Sequence, residues 1–243
     1  MRALQRAVSL PSLVVAFVVL TLLSLRPLRP LEADLHGFWV RTYPDWVEWI
    51  LQQVLDRLTG QAVCLPVLVI VAVVLARRYR TWRPILVAAA TEVAFLGGVG
   101  PLKLLFARPS PELGNAQFFH WHWGLLDGGW RTSYPSGHSA EAILFYGAAA
   151  YLIIRYCRPS PRATRWIRAG VGLITVQSVV VAYLLGWHWT TDLPAGVLVG
   201  GILLHLVLRA DRRLIPSLLR RWDPSSVDLD PGDLEDRQLR SHP

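Results

Sequence analysis

Apolar residues are concentrated in six long runs along the chain, separated by shorter polar stretches. The runs cover about Leu10–Leu25, Gln61–Ala76, Pro84–Phe106, Ala140–Ile154, Ile167–Leu185 and Leu193–Leu208. A helix that crosses a bilayer needs about 20 mostly apolar residues. Several runs are slightly shorter than this, so we expect flanking residues to complete them. The pattern predicts an all-α fold, an integral membrane bundle of six transmembrane helices.

The first run and the charge pattern together predict how the chain is inserted. Arg2 and Arg6 precede the first run, but its exit, RPLRPLEAD, contains no small-x-small cleavage site, which indicates a retained helix. With the N-terminus in the cytoplasm, 18 of the 25 Lys and Arg residues lie on the cytoplasmic side. We therefore expect both termini in the cytoplasm, loops 107–138 and 186–191 outside, and a bacterial plasma membrane as the location.

Composition agrees with a membrane protein, since 53% of the 243 residues are hydrophobic. The formal net charge of +8 raises the question of a nucleic-acid partner. The arginines, however, lie in short clusters between apolar runs and not in a patch with stacking aromatics, which argues against nucleic acid. The expected partner is the bilayer, and the oligomeric state is left open.

Three parts of the chain can be distinguished. Residues 1–60 contain the first helix and an external amphipathic segment, residues 61–209 form the membrane core, and residues 210–243 form a cytoplasmic tail. The tail is rich in Pro and Asp and has no apolar period, so we expect it to be disordered. In the external segment, one helical stripe contains Trp46, Trp49, Ile50, Val54 and Leu58. Either a helix lying at the membrane interface or a loop helix packed on the bundle explains this stripe.

Polar residues that could do chemistry lie at the external ends of the runs. Lys103, the only lysine of the chain, suits either an anion anchor or a side chain that reaches to the interface. Arg108 follows it and offers a planar fork to phosphate oxygens. Ser136, Gly137 and His138 fall in the first turn of the fourth helix, where unpaired N–H groups bind anions and a histidine can donate a proton. The alternative is that Ser136 simply caps this helix.

His188 and Asp192 form a further candidate pair. They are four residues apart, so one helical turn would put both side chains on the same face. A carboxylate that holds one ring nitrogen of a histidine leaves the other nitrogen available as a nucleophile. The alternative is that Asp192 only caps the helix that begins before Pro194.

In this order along the chain, the residues resemble the type 2 phosphatidic acid phosphatase superfamily, the lipid-phosphatase branch of the fold shared with vanadium haloperoxidases. The motifs of that family read roughly K-x6-R-P, P-S-G-H and S-R-x5-H-x3-D. The run from Pro135 to His138 matches the second motif fully, and His188 and Asp192 match the later half of the third. The resemblance covers about residues 60–208, including the order of helices and motifs.

The resemblance implies a phosphatase that needs no metal or other cofactor and acts through a phosphohistidine. His188 would attack phosphorus, Asp192 would orient it, and His138 would protonate the leaving oxygen. The phosphoryl oxygens would be held by Lys103, Arg108, Ser136 and the amide of Gly137. The expected substrate is a lipid phosphate monoester or diphosphate, of the isoprenoid diphosphate, phosphatidate or phosphatidylglycerol phosphate type.

Two arginines of the family pattern are missing from their usual places. The seventh residue after Lys103 is Ser110, and Ala182 stands where the third motif has its arginine. Arg108, two residues early, and Arg131, before the second motif, are the expected replacements. Loss of one preorganised cation can cost on the order of 10²–10³ in rate. A lipid-linked phosphotransferase that uses the same site, or a non-catalytic protein that binds lipid phosphates, therefore stay open as alternatives.

Two other polar features need an interpretation. Glu92 precedes Lys103 by eleven residues, about three helical turns, and so shares its face, where we expect it to be bonded within the bundle. His120 and His122 have a spacing that occurs in metal sites, but the sequence offers no evident third ligand. We therefore expect no metal site.

Overall fold

The computed structural model describes residues 9–37, 39–114, 116–119 and 132–213, and its regular structure is helical. The α-helices are α1 (Leu10–Leu25), α2 (Arg29–Leu35), α3 (Asp45–Ile50), α4 (Gln61–Tyr79), α5 (Arg83–Phe106), α6 (Gly137–Cys157), α7 (Pro161–Leu185) and α8 (Asp192–Arg213). Short 3₁₀ helices occupy Trp39–Thr42 and Pro111–Leu113. A π-helical turn, Leu51–Asp56, and an α-helical turn, Arg57–Thr59, continue α3. These elements confirm the predicted all-α class.

The six predicted runs are all helical, and five of them are extended by flanking residues as expected. Within the described residues, five helices are long and apolar enough to cross a membrane. The first of them, Asp45–Tyr79, combines α3, the two short turns that continue it and α4. The helix α1 has 16 residues and reaches the required length only together with Arg29–Thr42, from which it is bent by 83°. The membrane bundle is therefore confirmed, with five spans or six if this bent pair counts as one.

Local sequence signals set the ends of the helices that carry the site. Ser136 is the N-cap of α6, and its side chain accepts a hydrogen bond from the N–H of Ser139. Ser160 caps α7 in the same way, and Pro161 follows at the first helical position. Gly186 ends α7 with a positive φ of 72°, which a residue without a Cβ adopts easily. This glycine turns the chain into the loop that contains His188.

The helix α6 lies at the centre of the bundle and packs against α4, α5, α7 and α8. Glycines allow α8 to approach it closely, because a Cβ on Gly196 would collide with the carbonyl oxygen of Ser136. A Cβ on Gly200 would lie 2.5 Å from the carbonyl oxygen of Ala140. Small residues at such crossings let two membrane helices pack backbone to backbone. This contact fixes the start of α6 against the start of α8.

The segment 45–59 packs on the bundle with one face and exposes the other. Asp56 on the inner face is buried, and Gln177 of α7 donates a hydrogen bond to the carbonyl of Leu55. The predicted stripe is the outer face, where Trp46 is 65% exposed and Trp49 is 60% exposed. The packed face agrees with a loop helix that packs on the bundle. That the exposed apolar stripe lies at the membrane interface stays a prediction.

The opposite end of the bundle is tied together by one buried carboxylate. Asp211 on α8 pairs with Arg83 on α5 at 2.7 Å and accepts a hydrogen bond from the hydroxyl of Tyr151 on α6. The described part of α8 extends to Arg213. Residues 214–243 of the predicted tail, 210–243, lie outside the described residues.

We expect Gly196→Ala to destabilise the bundle, because the new methyl group meets a backbone carbonyl that cannot move without displacing the first turn of α6. Overpacking of this kind costs about 1–3 kcal/mol. The measurement is thermal unfolding of the purified protein in detergent.

Gly97→Ala is the matched control, because a Cβ at that position of α5 meets no heavy atom within 4 Å. It should unfold at or slightly above the wild-type temperature, since alanine favours a helix over glycine by about 0.5–1 kcal/mol. Equal unfolding temperatures for the two variants would show that the crossing of α6 and α8 is looser than described.

Candidate active site

The loops that precede α6 and α8 and the loop that follows α5 meet at one end of the bundle. The N–H of Ser133 donates to the carbonyl of Arg108 at 2.8 Å, and the N–H of Ser136 donates to the carbonyl of Asp192 at 3.0 Å. These backbone bonds join the three polar clusters that the sequence analysis singled out. Because main-chain bonds connect them, the relative positions of their side chains are set by the fold.

The Nδ1 atom of His188 faces two hydrogen-bond acceptors. The carbonyl oxygen of Ser133 lies 3.0 Å away, and the carboxylate Oδ2 of Asp192 lies 3.6 Å away. The nearer acceptor is therefore a backbone carbonyl, which the sequence analysis did not identify. An N–H at Nδ1 leaves the lone pair on Nε2, the tautomer that a nucleophile needs.

His188 and Asp192 are neighbours, as predicted, but a loop and not a helical turn brings them together. His188 lies in the loop 186–191, and Asp192 is the first residue of α8, so no helical turn contains both. Instead, the carboxylate Oδ2 of Asp192 accepts a hydrogen bond from the N–H of Trp189 at 2.8 Å. A tight loop held by this bond places the two side chains next to each other.

Burial keeps His188 neutral. Loss of water around the ring lowers the pKa of His188 below its ordinary value of 6.5, and the negative charge of Asp192 opposes this shift only in part. Lys103 and His138 lie at the same end of the bundle, because Lys103 contacts the first turn of α6 and the N–H of Ser136 in that turn donates to the carbonyl of Asp192. A neutral imidazole at physiological pH is the form that can attack phosphorus.

Arg108 is enclosed completely and is held by two carboxylates. Its Nη1 lies 2.7 Å from Asp192 and its Nη2 lies 2.7 Å from Glu32, and both carboxylate side chains are at most 2% exposed. Nη1 also donates to the hydroxyl of Thr191 at 3.0 Å. These contacts give Arg108 a role in holding Asp192. Phosphate binding by Arg108 stays a prediction that the contacts do not test.

Glu32 belongs to this site although its sequence context gave no sign of it. Besides Arg108, its carboxylate accepts hydrogen bonds from the N–H and the hydroxyl of Thr191, in the turn before α8. The helix α2 thereby reaches the loop that carries His188. No family motif and no hydrophobic period marks the position, so only the three-dimensional arrangement reveals it.

Lys103 lies beside the first turn of α6. Its Nζ donates to the carbonyl oxygen of Thr132 at 2.7 Å, and its Cε lies 3.9 Å from the position that a Cβ on Gly137 would take. The N-terminal turn of a helix carries unpaired N–H groups and a positive dipole end. The ammonium and the helix start therefore place positive charge side by side, next to Ser136.

His138 also has a carboxylate partner. Its Nε2 lies 3.3 Å from Oδ2 of Asp56, at the end of the π-helical turn, and its side chain is 35% exposed. Gly60 permits this approach, since a Cβ there would lie 3.1 Å from the same Nε2. The sequence analysis left two interpretations of this segment open and did not connect it with His138.

The two positions without the family arginine differ in their surroundings. Ala182 on α7 is 1% exposed, so it lies in the protein interior, whereas Ser110 is half-buried. The proposed replacement, Arg131, lies outside the described residues, as do His120 and His122. Glu92 receives a hydrogen bond from the amide of Gln61 at 2.6 Å, in agreement with its expected bonding within the bundle.

Among the described residues, no group of three or more His, Cys, Asp or Glu side chains is arranged to hold a metal ion. The carboxylates of this site face an arginine, two histidines and backbone N–H groups instead. The described side chains thus form two imidazole–carboxylate pairs next to one lysine and one helix start.

Glu32→Ala should lower the stability of the protein markedly, because it leaves the guanidinium of Arg108 buried with one carboxylate fewer. Removing one partner of a buried ion pair costs about 3–5 kcal/mol, and we expect the lower end since Asp192 stays in place. Denaturant unfolding in detergent measures the effect. Asp34→Ala on the exposed side of the same helix is the control and should leave the unfolding midpoint unchanged. Similar midpoints for both variants would contradict a buried Glu32–Arg108 pair.

Comparison with known proteins shows which family and which fold the chain resembles. The family model described as the PAP2 superfamily matches residues 80–216. Phosphatidylglycerophosphatase B of Bacillus subtilis (strain 168) is 29% identical over 82 residues, which cover 34% of this chain and 40% of that protein. The crystal structure of a transmembrane PAP2 type phosphatidylglycerolphosphate phosphatase from Bacillus subtilis is similar with a TM-score of 0.69 and 21% identity, over 84% of this chain and 96% of that chain.

The structural similarity shows a common fold, and the sequence match spans less than half the length of the curated relative. The family model covers more than half of the 243 residues and includes Lys103, His138, His188 and Asp192. The chain therefore belongs to the PAP2 superfamily.

Proposed function

We propose that the protein is a membrane lipid phosphatase that hydrolyses a lipid phosphate monoester or diphosphate through a phosphohistidine, without a metal ion. The observation that carries this proposal is the arrangement of His188, with Nδ1 against an acceptor and its pKa lowered, in the same neighbourhood as His138 and Lys103. Such an arrangement supplies a nucleophile, a proton donor and a cation for phosphoryl transfer.

In the first step, Nε2 of His188 attacks phosphorus while the bond to the leaving oxygen breaks. His138 gives its proton to that oxygen, so the lipid leaves as an alcohol or, from a diphosphate, as a monophosphate. The positive charge that forms on the His188 ring is stabilised by Asp192 and by the carbonyl of Ser133. In the second step, water attacks the phosphohistidine, His138 accepts the proton, and inorganic phosphate is released.

The phosphoryl oxygens are held, in this proposal, by positive and N–H-donating groups at the start of α6. Lys103 and the amide of Gly137 lie next to each other there, and Ser136 is part of the same turn. Arg131, which lies outside the described residues, completes the set in this proposal. Arg108 contributes through Asp192, which it holds at 2.7 Å. Donors aimed at the charge that develops in the transition state are the largest single contribution to many enzymatic rates.

A phosphatidylglycerophosphate-type substrate has the strongest support. The relative in Bacillus subtilis bears the name phosphatidylglycerophosphatase B, and the similar crystal structure is of a phosphatidylglycerolphosphate phosphatase. The site lies at one end of a membrane bundle, where a headgroup is reached while acyl chains stay in the bilayer. We place this end outside and both termini in the cytoplasm, because the arginine distribution favours that orientation.

We expect purified protein in detergent to release inorganic phosphate from phosphatidylglycerophosphate, and His188→Ala to abolish that release. Phosphatidate and an isoprenoid diphosphate are measured beside it and rank the substrate class. His205→Ala is the matched control, because His205 lies far along α8 from its first residue, Asp192. It should retain wild-type activity, and EDTA should leave the rate unchanged.

Each of the other outcomes would support a different mechanism or function for this protein. Full activity of His188→Ala would exclude the phosphohistidine mechanism. Phosphate transfer that requires an added lipid or sugar alcohol would show a phosphotransferase. Binding of lipid phosphates without turnover of any of them would show a non-catalytic binder, the alternative that the absence of arginine at positions 110 and 182 favours.

The pH dependence of kcat/KM should report the lowered pKa of His188. Only the neutral ring attacks phosphorus, so activity is present above this pKa and is lost as the pH falls through it. Because burial lowers the pKa of His188 below 6.5, the acidic limb should have its midpoint below pH 6.5. Asp34→Asn should keep the same profile, whereas a wild-type midpoint at or above 6.5 would contradict a desolvated His188.

A further inference from the structure

The proton donor of the proposed reaction is contacted by a residue that lies outside the family motifs. Asp56 precedes residues 80–216, where the family model matches, yet its Oδ2 lies 3.3 Å from Nε2 of His138. The residue is 7% exposed. A carboxylate that is nearly withdrawn from water needs a partner, and His138 is the ion-pairing partner that the described residues provide.

The local backbone is built so that Asp56 can reach this position. Asp56 ends the π-helical turn that begins at Leu51, and such turns occur frequently at functional sites. Its carbonyl accepts a hydrogen bond from the hydroxyl of Thr59, which is completely buried. Gly60 then lets the chain pass close to the imidazole. Three consecutive features of the segment thus favour the same contact.

Other charged groups act on His138, but their geometry differs. Glu141, one turn further along α6, and Lys103 interact with the ring electrostatically. The Oε2 atom of Glu141 is buried and makes no hydrogen bond to the described residues. Asp56 is the carboxylate that the described contacts place within ion-pairing distance of the ring. It is therefore the group that can fix the orientation of the imidazole.

We propose that Asp56 is a positioning residue for the proton transfer by His138, an inference that rests on the proposed function. Asp56 accepts the proton of Nε2–H as a hydrogen bond and remains a carboxylate throughout. The proton on Nδ1 passes to the leaving oxygen as the bond between phosphorus and that oxygen breaks. In the hydrolytic step Nδ1 takes a proton from the attacking water, which restores the starting state. Asp56 thus acts on His138 as Asp192 acts on His188.

The effect of such a residue depends on the leaving group. An alkoxide leaves poorly and requires the proton, so its departure should be sensitive to the orientation of His138. Nitrophenolate is stable as an anion and leaves without a proton. A substitution that disturbs proton donation therefore slows formation of the phosphohistidine from an alkyl phosphate and spares its formation from an aryl phosphate, whereas general damage to the site slows both. Hydrolysis of the phosphohistidine uses His138 as a base with either substrate, so the first step is measured by itself.

The test is Asp56→Asn in detergent with phosphatidylglycerophosphate and with 4-nitrophenyl phosphate. We expect kcat for the lipid to fall roughly 10–100-fold, a part of the 10²–10⁴ that general acid catalysis contributes, with KM within about threefold of wild type. The burst of nitrophenolate in the first turnover, which reports formation of the phosphohistidine, should change in rate by less than about threefold. Asp56→Glu should restore part of the lost activity, and the exposed Asp45→Asn on the same segment should match wild type.

A double-mutant cycle gives a second, independent readout. If Asp56 acts through His138, then Asp56→Asn has no further effect on kcat for the lipid once His138 is replaced by Ala. Unchanged kcat in Asp56→Asn, a loss in the nitrophenolate burst rate as large as the loss in kcat for the lipid, or an additive loss in the double variant would overturn the proposal. Failure of the proposed function looks different, because the wild-type protein itself would then show no phosphate release that depends on His188.

Discussion

One buried guanidinium holds the active-site end of this bundle together. Arg108 is fully enclosed, pairs with Glu32 on α2 and with Asp192 at the start of α8, and lies over the rings of Phe118 and Trp189. A buried charge without such partners would cost several kcal/mol. The positions of α2 and α8 are therefore coupled to the loop that leaves α5. Because Asp192 also holds the turn that carries His188, this coupling reaches the nucleophile of the proposed reaction.

Much of the fold could be predicted because its signals are local. Apolar runs of nearly bilayer length gave the positions of the long helices, and a serine before the fourth run gave the N-cap of α6. The match to P-S-G-H and the pair His188–Asp192 selected residues that the structure brings to one end of the bundle. Periodicity and caps act over a few residues, so they can be recognised in one sequence without knowledge of the tertiary structure.

The partners of these residues could not be predicted, because their contacts join distant parts of the chain. Glu32 meets Arg108 across 76 positions, and Asp56 lies on a segment whose apolar stripe drew attention to its opposite face. The carbonyl of Ser133 accepts from His188 as a backbone group, which no side-chain motif can signal. Sequence spacing predicted that His188 and Asp192 are neighbours, but a tight loop and not a helical turn makes them so.

In our proposal, the two missing family arginines leave less positive charge for a phosphoryl group, so catalysis depends more on proton transfer. Ala182 occupies a core position on α7, and Arg108 is already paired with two carboxylates. In our proposal, fixed positive charge for a phosphoryl group therefore comes from Lys103, the start of α6 and Arg131. With fewer cations, less of the barrier is removed by neutralising charge. Orientation of the two imidazoles then matters more, and a carboxylate beside each of them, one supplied by α8 and one by segment 45–59, meets that requirement.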